Sequence, residues 1–215
     1  MTALRDMGQG GCKFKVGGKS PREDAERVRA AFQVADENFR ICVDANQGYS
    51  VREAIEFCRH VEDLDLMWFE EPCPWYDDRR SMAVVRASTG VAIAAGQSER
   101  SRAGCRDLMM DAAIDYCNFD ASWGGGPTDW RRVAALARCF SVTMAHHEEP
   151  QVSAHLLASV SNSSYVEVFH PDRDPLFYEL VVNRNPFDNG RYKVPDGPGL
   201  GIELNEEIIN KYKVQ

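Results

Sequence analysis

Short apolar runs with the two-residue alternation of strands take turns along this chain with longer stretches whose apolar positions recur at helical spacing. Gly11 to Val16 reads as a strand. Ser20-Pro21-Arg22-Glu23 is a capping box with proline at the first helical position, predicting a helix to about Asn38. Ile41 to Asp44 is the next strand, and a second capping box, Ser50-Val51-Arg52-Glu53, opens a helix through His60. Its Val51, Ala54, Ile55 and Cys58 form one apolar stripe. The alternation goes on with a strand at Leu66 to Glu70, a helix over Arg79 to Ser88 and an almost wholly apolar strand at Val91 to Ala95. A helix near Arg102 to Met110, a strand at Tyr116 to Phe119 and a helix from Thr128 to Phe140 follow. Val142 to Ala145 (strand), Gln151 to Ser159 (helix) and Tyr165 to Phe169 (strand) complete the series, making seven strands.

Such regular alternation implies parallel strands joined by right-handed crossovers. An open doubly wound sheet would carry a phosphate-binding glycine fingerprint after its first strand. Gly17-Gly18 is too short for that, and Gly124-Gly125-Gly126 follows a late strand. The expected fold is α/β, a (β/α) TIM-type barrel over residues 1–171 with one strand absent. From Asp172 the pattern stops. Asn185-Pro186, Asp188-Asn189-Gly190 and Pro195-Asp196-Gly197-Pro198-Gly199 signal turns, and a short helix is expected near Asn205 to Tyr212.

The 215 residues suffice for one large core but fall short of the about 250 of a complete barrel. With 44% hydrophobic and 27% charged residues the chain has a globular rather than a disordered composition. A formal net charge of -8 without a Lys/Arg-rich run argues against a nucleic-acid partner. No apolar run approaches the ~20 residues of a membrane span. The seven cysteines are scattered and without a C-x-x-C pair, as expected of buried thiols in a reducing cytoplasm rather than a zinc site or disulfide framework.

Polar residues collect where the apolar runs end, and in a parallel barrel those ends share one mouth. Alternation puts Lys13 and Lys15 on one face with Phe14 on the other, and adjacent lysines disfavour each other's protonation, as a general base requires. Asp44 reads as an Asx-turn residue or as a carboxylate ligand for a hard cation, with Asn46 facing the same pocket. Glu70 and Glu71 would repel each other unless Glu70 binds a cation and Glu71 plays a supporting role. Gln97 and Glu99 share a face at the next strand end, so either reaches the metal. Asp120 and His147 lie one βα unit apart, where a carboxylate holding one imidazole nitrogen raises basicity at the other. His146 competes for that place. Glu167 ends the last strand and suits a hydrogen-bonding role.

The order Lys-x-Lys, Asp-x-Asn, Glu-Glu-Pro, Gly-Gln-Ser-Glu, Asp and His resembles the enolase superfamily, and more narrowly its mandelate racemase subgroup. Val43-Asp44-Ala45-Asn46, Trp68-Phe69-Glu70-Glu71-Pro72 and Ser153-Ala154-His155-Leu156-Leu157 are close to that subgroup's patterns over Gly11 to Phe169. The resemblance implies Lys15 as base with Lys13 as its partner, Asp44 and Glu70 as two of three Mg²⁺ ligands, and a His147–Asp120 dyad. It implies a contact from Glu167 to the substrate carboxylate or enolate. The third ligand position, usually glutamate, holds Gln97, leaving Glu99 or Gln97 to fill it. An N-terminal capping domain and a first barrel strand of that family have no counterpart here. The chain is therefore expected to be part of a longer protein, with residues 172–215 packing towards the cap.

The activity implied is Mg²⁺-dependent dehydration of a small-molecule acid sugar. The proton α to the carboxylate is removed, an enediolate forms and water is eliminated. A racemase or epimerase using the same two bases is the alternative, and an inactive truncated barrel that binds metal or partners is a third. The full-length form is expected to be a homo-oligomer.

Overall fold

The structure, a computed structural model, describes residues 2–184 and 187–214. A short helix α1 (Thr2–Asp6) precedes β1 (Gly11–Lys15), after which helices and strands alternate. They run α2 (Pro21–Val34), β2 (Arg40–Asp44), α3 (Val51–His60), β3 (Phe69–Glu70), α4 (Asp78–Thr89), β4 (Ile93–Ala95) and α5 (Arg102–Met110). Then come β5 (Tyr116–Cys117), α6 (Gly126–Cys139), β6 (Thr143–Met144) and α7 (Pro150–Ala158). Both capping boxes form: Ser20 and Ser50 each accept from the amide three residues on, while Glu23 and Glu53 reach back. These reciprocal bonds satisfy amides that a helix leaves orphaned, which fixes where α2 and α3 begin.

The strands form one parallel six-stranded sheet in sequence order, β1 to β6. Alternation along each strand divides the side chains between two cores. Val43, Phe69 and Ile93 pack with the buried faces of the helices, for example Val28, Phe57, Met82 and Leu108. Cys42, Trp68 and Ala94 form a second, smaller cluster with Met67, Ala92 and Tyr116. Trp68 and Phe69 are chain neighbours in different cores, so the two clusters lie on opposite faces of the sheet. Lys13 of β1 lies 2.7 Å from Glu167, beyond β6. The sheet therefore curls until its two ends approach.

Six strands replace the seven expected in this sheet. Tyr165 to Phe169 has no ladder; pairing stops at an isolated parallel bridge between Met144 and Ser163 and a bond from the Ser164 amide to the Met144 carbonyl. Strand β6 ends at Met144, and beyond it this run has no described neighbour to supply a ladder. Its meeting with β1 is made by side chains. The tail holds more structure than its turn signals suggested: α8 (Pro175–Leu180), a hairpin of β7 (Phe187–Asp188) and β8 (Arg191–Tyr192), and α9 (Glu206–Tyr212). Asn189 and Gly190 form the hairpin turn at φ 47° and 75°, left-handed values that Asn-Gly pairs accept readily. The Gly190 amide bonds to the Gly8 carbonyl at 2.7 Å, and a Cβ on Gly190 would sit 3.0 Å from Cα of Gly10. The hairpin thus docks on the chain leading into β1. The Asn185-Pro186 turn lies outside the described residues.

One buried carboxylate fixes the loop that follows β1. Asp24 of α2 is fully buried and accepts from the amides of Gly17 (2.8 Å) and Lys19 (3.3 Å) and from the Tyr49 hydroxyl (2.8 Å). Arg27 binds its other oxygen. Burial opposes the charge, but these donors outweigh it and hold the carboxyl below the ordinary aspartate range. Asp24→Ala is expected to lower the unfolding free energy by about 2–4 kcal/mol and Tyr49→Phe by about 1 kcal/mol, read by urea denaturation. Because the folded-state pKa is depressed, this stabilisation is complete above about pH 4 and fades as pH falls through the folded value. Asp24→Asn should flatten that part of the acid limb. An Asp24→Ala variant as stable as the parent would show that the loop is held by something else.

Candidate active site

Parallel register assembles the site from β1, β2 and β3. Lys15 pairs with Asp44 across β1 and β2, and Asp44 pairs with Glu70 across β2 and β3. Phe14 packs among the helices, so Lys13 and Lys15 occupy the inner face. Lys13 Nζ lies 2.6 Å from Glu70 Oε1, 2.7 Å from Glu167 Oε1 and 3.6 Å from Asp44 Oδ2. Lys15, half-exposed, donates to Asp44 Oδ2 at 2.6 Å. Burial works against the Lys13 charge, yet Glu70, Glu167 and Asp44 together hold its pKa above the usual lysine value. The expected mutual lowering of lysine proton affinity is therefore overturned at Lys13, because three carboxylates outweigh one neighbouring ammonium.

Of the two roles that its sequence context left open, Asp44 takes up the Asx turn and keeps one oxygen turned to the lysines. Its Oδ1 accepts from the Asn46 amide at 2.7 Å, closing an Asx turn, while Oδ2 faces the lysines. Asn46 itself is exposed and does not line the cavity. Glu70 has both oxygens engaged, by Lys13 and by Trp68 Nε1 at 3.1 Å. Burial pushes its carboxyl up against the pull of Lys13.

The two candidates after β4 part company. Gly96, at φ 130°, lies so close to β5 that a Cβ would meet Cys117 Sγ at 3.2 Å. The Gln97 that follows is buried, its amide bonded to Asn118 Oδ1 (3.0 Å) and its Oε1 to Asn118 Nδ2 (3.3 Å). Glu99 instead turns outward. Its carboxylate packs against Gly104 in α5, and the charges acting on it are Asp78, Arg79 and Asp107. The shared-face argument assumed that the strand continues, but β4 ends at Ala95 and a turn redirects Glu99. Glu99 is thereby removed as a partner of Asp44 and Glu70.

Glu71 matters more than its sequence position suggested. It is buried, at φ 40°, with Oε1 accepting from Ser98 at 3.3 Å and Oε2 without a hydrogen-bond partner among the described residues. Burial pushes its carboxyl up to about 7, and the Asp44 charge adds to that rise.

On the far side of the mouth, His147 Nδ1 lies 3.0 Å from Asp120 Oδ2, and Asp120 Oδ1 accepts from the Ser122 amide and hydroxyl. Burial disfavours imidazolium, but the Asp120 bond and the charges of Glu167 and Glu148 prevail, so the His147 pKa is raised. Glu148 Oε1 lies 3.3 Å from His147 Nε2, a contact that the adjacent acids after His147 could have suggested. His146 lines the same cavity but does not compete for the dyad, because both of its ring nitrogens are taken by backbone groups. Its Nε2 accepts from the Ala121 amide (3.0 Å), so Nδ1 carries the proton and donates to the His147 carbonyl (2.7 Å). Burial lowers its pKa, in keeping with a neutral ring. Glu167 is held by Lys13 and, through Oε2, by the Glu148 amide at 3.0 Å.

Lys13, Lys15, Asp44, Glu70, His147 and Glu167 all line one cavity of about 580 Å³, bounded below by Cys12, Cys42 and Trp68 and at one side by Phe187 and Tyr192 of the hairpin. Among the described residues no three His, Cys, Asp or Glu side chains are grouped as a ready metal site. Asp44 and Glu70 nevertheless offer carboxylate oxygens on neighbouring strand ends, with the neutral Gln97, whose oxygen accepts from Asn118, on the strand end after them. The buried Glu70 and the partnerless Glu71 oxygen favour a further positive charge there, so the donor set fits a hard cation.

The sequence pattern of the family described as enolase C-terminal domain-like matches residues 1–208. An arabinonate dehydratase of Saccharolobus solfataricus is 32% identical over 96% of this chain and 56% of its own length. The L-talarate/galactarate dehydratase of Salmonella typhimurium is 32% identical over 94% of this chain and 50% of its own. A solved mandelate racemase/muconate lactonizing enzyme from a marine actinobacterium, in complex with magnesium, superposes with a TM-score of 0.96 at 50% identity, over 100% of this chain and 61% of that one. The chain thus spans little more than half the length of the curated relatives it matches. With the family pattern running over nearly all of it, the chain belongs to the enolase C-terminal domain-like family.

Proposed function

We propose that this chain is the catalytic part of a Mg²⁺-dependent sugar-acid dehydratase, its curled sheet being part of a parallel β/α barrel whose strand ends form the active-site mouth. The observation that carries the reading is the placement of two proton-handling groups, Lys15 and the Asp120-held His147, on the cavity that also contains the Asp44–Glu70 carboxylate pair. Names among its relatives, including dehydratases for arabinonate and for talarate or galactarate, support the same class.

Asp44 and Glu70, with Gln97 as a neutral oxygen, would hold Mg²⁺, which supplies a Lewis acid for the negative charge that builds on the substrate carboxylate as its α-proton leaves. Lys15 takes that proton. It would do so as the neutral amine: the ammonium that donates to Asp44 here must first give up its own proton, which a cation held by Asp44 would favour by removing its counter-charge. Lys13 remains an ammonium and offers positive charge to the substrate carboxylate. His147 stands across the cavity as the acid that protonates the departing β-hydroxyl, and its raised pKa keeps it charged further into the neutral range. Asp120 fixes its ring through Nδ1, and Nε2, 3.3 Å from Glu148 Oε1, is the nitrogen left to act. Two bases also permit epimerisation when the substrate has no leaving group. Exchange of the α-proton in deuterated water without loss of water would mark that outcome.

The functional test is to incubate the full-length protein that carries this chain with MgCl₂ and a panel of sugar acids and to score 2-keto acid; no product from any member would sink the dehydratase reading. Lys15→Ala and His147→Ala are each expected to reduce kcat by about 10²–10⁴-fold. Near-parental dehydration by both would remove them from the mechanism.

For the metal, calorimetric titration should show Asp44→Ala and Glu70→Ala weakening Mg²⁺ binding by at least about tenfold. Gln97→Glu should tighten it, and Glu99→Ala should leave it unchanged. Unaltered binding by Asp44→Ala and Glu70→Ala would rule out this site.

The Asp120 contact also has a pH signature. Protonated His147 is lost as pH rises through its pKa, and Asp120→Asn removes the main contact that raises that pKa. The alkaline fall in kcat should therefore move to lower pH. An unmoved limb would mean that His147 is not the titrating acid.

A further inference from the structure

Arg40, Arg173 and Arg191 also line the cavity, and one of them bears on the proton chemistry. Arg40 stands at the start of β2 and is paired with Asp65 at 3.0 Å. Arg191 belongs to the hairpin, opposite Asp188 in its register. Arg173, in the loop before α8, is placed differently. Its guanidinium carbon lies 3.9 Å from the centre of the Phe169 ring, a cation–π stack that fixes the plane of the group and leaves its N–H edges free. That guanidinium makes no ion pair or hydrogen bond among the described residues. Its charge nevertheless acts on Glu148, the residue next to His147.

Glu148 occupies a place that the proposed chemistry needs. Its Oε1 lies 3.3 Å from His147 Nε2, while Nδ1 of the same ring is taken by Asp120. The one nitrogen able to meet a substrate hydroxyl is therefore covered by a carboxylate. The backbone puts it there at a cost. Glu148 and Glu149 have φ of 56° and 50°, the left-handed region, in two successive residues that are not glycine. The Glu148 amide holds this turn by donating to Glu167 Oε2 at 3.0 Å. The charges acting on Glu148 are those of His147, Glu167, Arg173 and Asp120; Asp120, Glu167, Glu148 and Lys13 act on His147. Besides the imidazole, Arg173 is the cation among the groups acting on Glu148. The Glu148 side chain is partly exposed, which leaves it room to move between the two.

Resting on the dehydratase reading, we propose that Glu148 and Arg173 are positioning residues that decide when His147 can act. The Glu148 carboxylate rests on Nε2 until a substrate hydroxyl takes its place, and then pairs with the Arg173 guanidinium. Arg173 thereby draws a negative charge out of the path of an anionic substrate and uncovers the acid. Neither residue transfers a proton or bonds the substrate.

The test is a double-mutant cycle of Glu148→Gln and Arg173→Ala in the full-length protein that carries this chain. Its first readout is the NMR titration of His147, identified by the signal lost in His147→Gln. Glu148→Gln should lower the His147 pKa by about 0.5, the scale of one partly exposed ion pair. Arg173→Ala should raise it, because Glu148 then stays on the imidazole, and the rise should vanish in the double variant. An equal rise with and without Glu148 would mean that Arg173 acts on His147 directly. An unmoved pKa in Glu148→Gln would mean that the carboxylate does not sit on Nε2. Either result overturns the proposal, and neither needs Mg²⁺ or substrate. The second readout is calorimetric binding of sugar acids with MgCl₂. Arg173→Ala should weaken the acid that the parent binds best by at least about threefold, and the double variant should recover it. A double variant as weak as Arg173→Ala would show that Arg173 itself holds the substrate, and would also overturn the proposal. The expected His147 pattern without keto acid from any sample would keep the pair and discard the dehydratase reading.

Discussion

The Lys13 ammonium is the constraint on which the rest of the site depends. It lies among carboxylates from β2, from β3 and from the run after β6, so one side chain spans the seam where the curled sheet meets itself. Backbone pairing does not bridge that seam, because the run past Ser164 has no ladder. A buried ion cluster of this kind is a weak source of net stability, since the desolvation of each charge offsets much of the attraction. Its contribution is positional. Removing Lys13 would leave Glu70 and Glu167 buried without their main counter-charge, and their repulsion would drive the seam apart.

This cluster also explains why the carboxylates can lie so deep. Glu70 is nearly inaccessible, and burial alone would favour its neutral form. Lys13, reaching across from β1, opposes that preference, much as a counter-ion would. The result is a polar interior on one face of the sheet, backed on the other by the apolar layer of Val43, Phe69 and Ile93 against the helices.

Much of this was legible in the sequence. The capping boxes located two helices because Ser and Glu at that spacing satisfy orphan amides wherever they occur. The β1 alternation gave the inward face of Lys13 and Lys15 because the period of a strand is fixed by geometry. Glu99 was misplaced because that same period was carried past the end of β4 into a turn, where it has no force. His146 was misread because both of its ring nitrogens are used by backbone groups brought close only by folding, Ala121 among them. The strand at Tyr165 to Phe169 failed for a related reason. Apolar alternation reports which faces are buried, whereas a ladder requires a neighbour, and neighbours are not written locally.

The docking of the Asn189-Gly190 turn on Gly8 and Gly10 has a consequence for how the chain acquires its structure during synthesis. Every strand of the sheet pairs with the one made just before it, so the sheet can grow outward from β1 as the polypeptide leaves the ribosome. The stretch leading into β1, however, is met by a hairpin that appears only after all six strands of the sheet. Until it arrives, that stretch lacks its docking partner and the backbone groups of Gly8 and Gly10 stay open to other contacts. The hairpin therefore closes the interval in which the approach to β1 is exposed while the sheet is already formed.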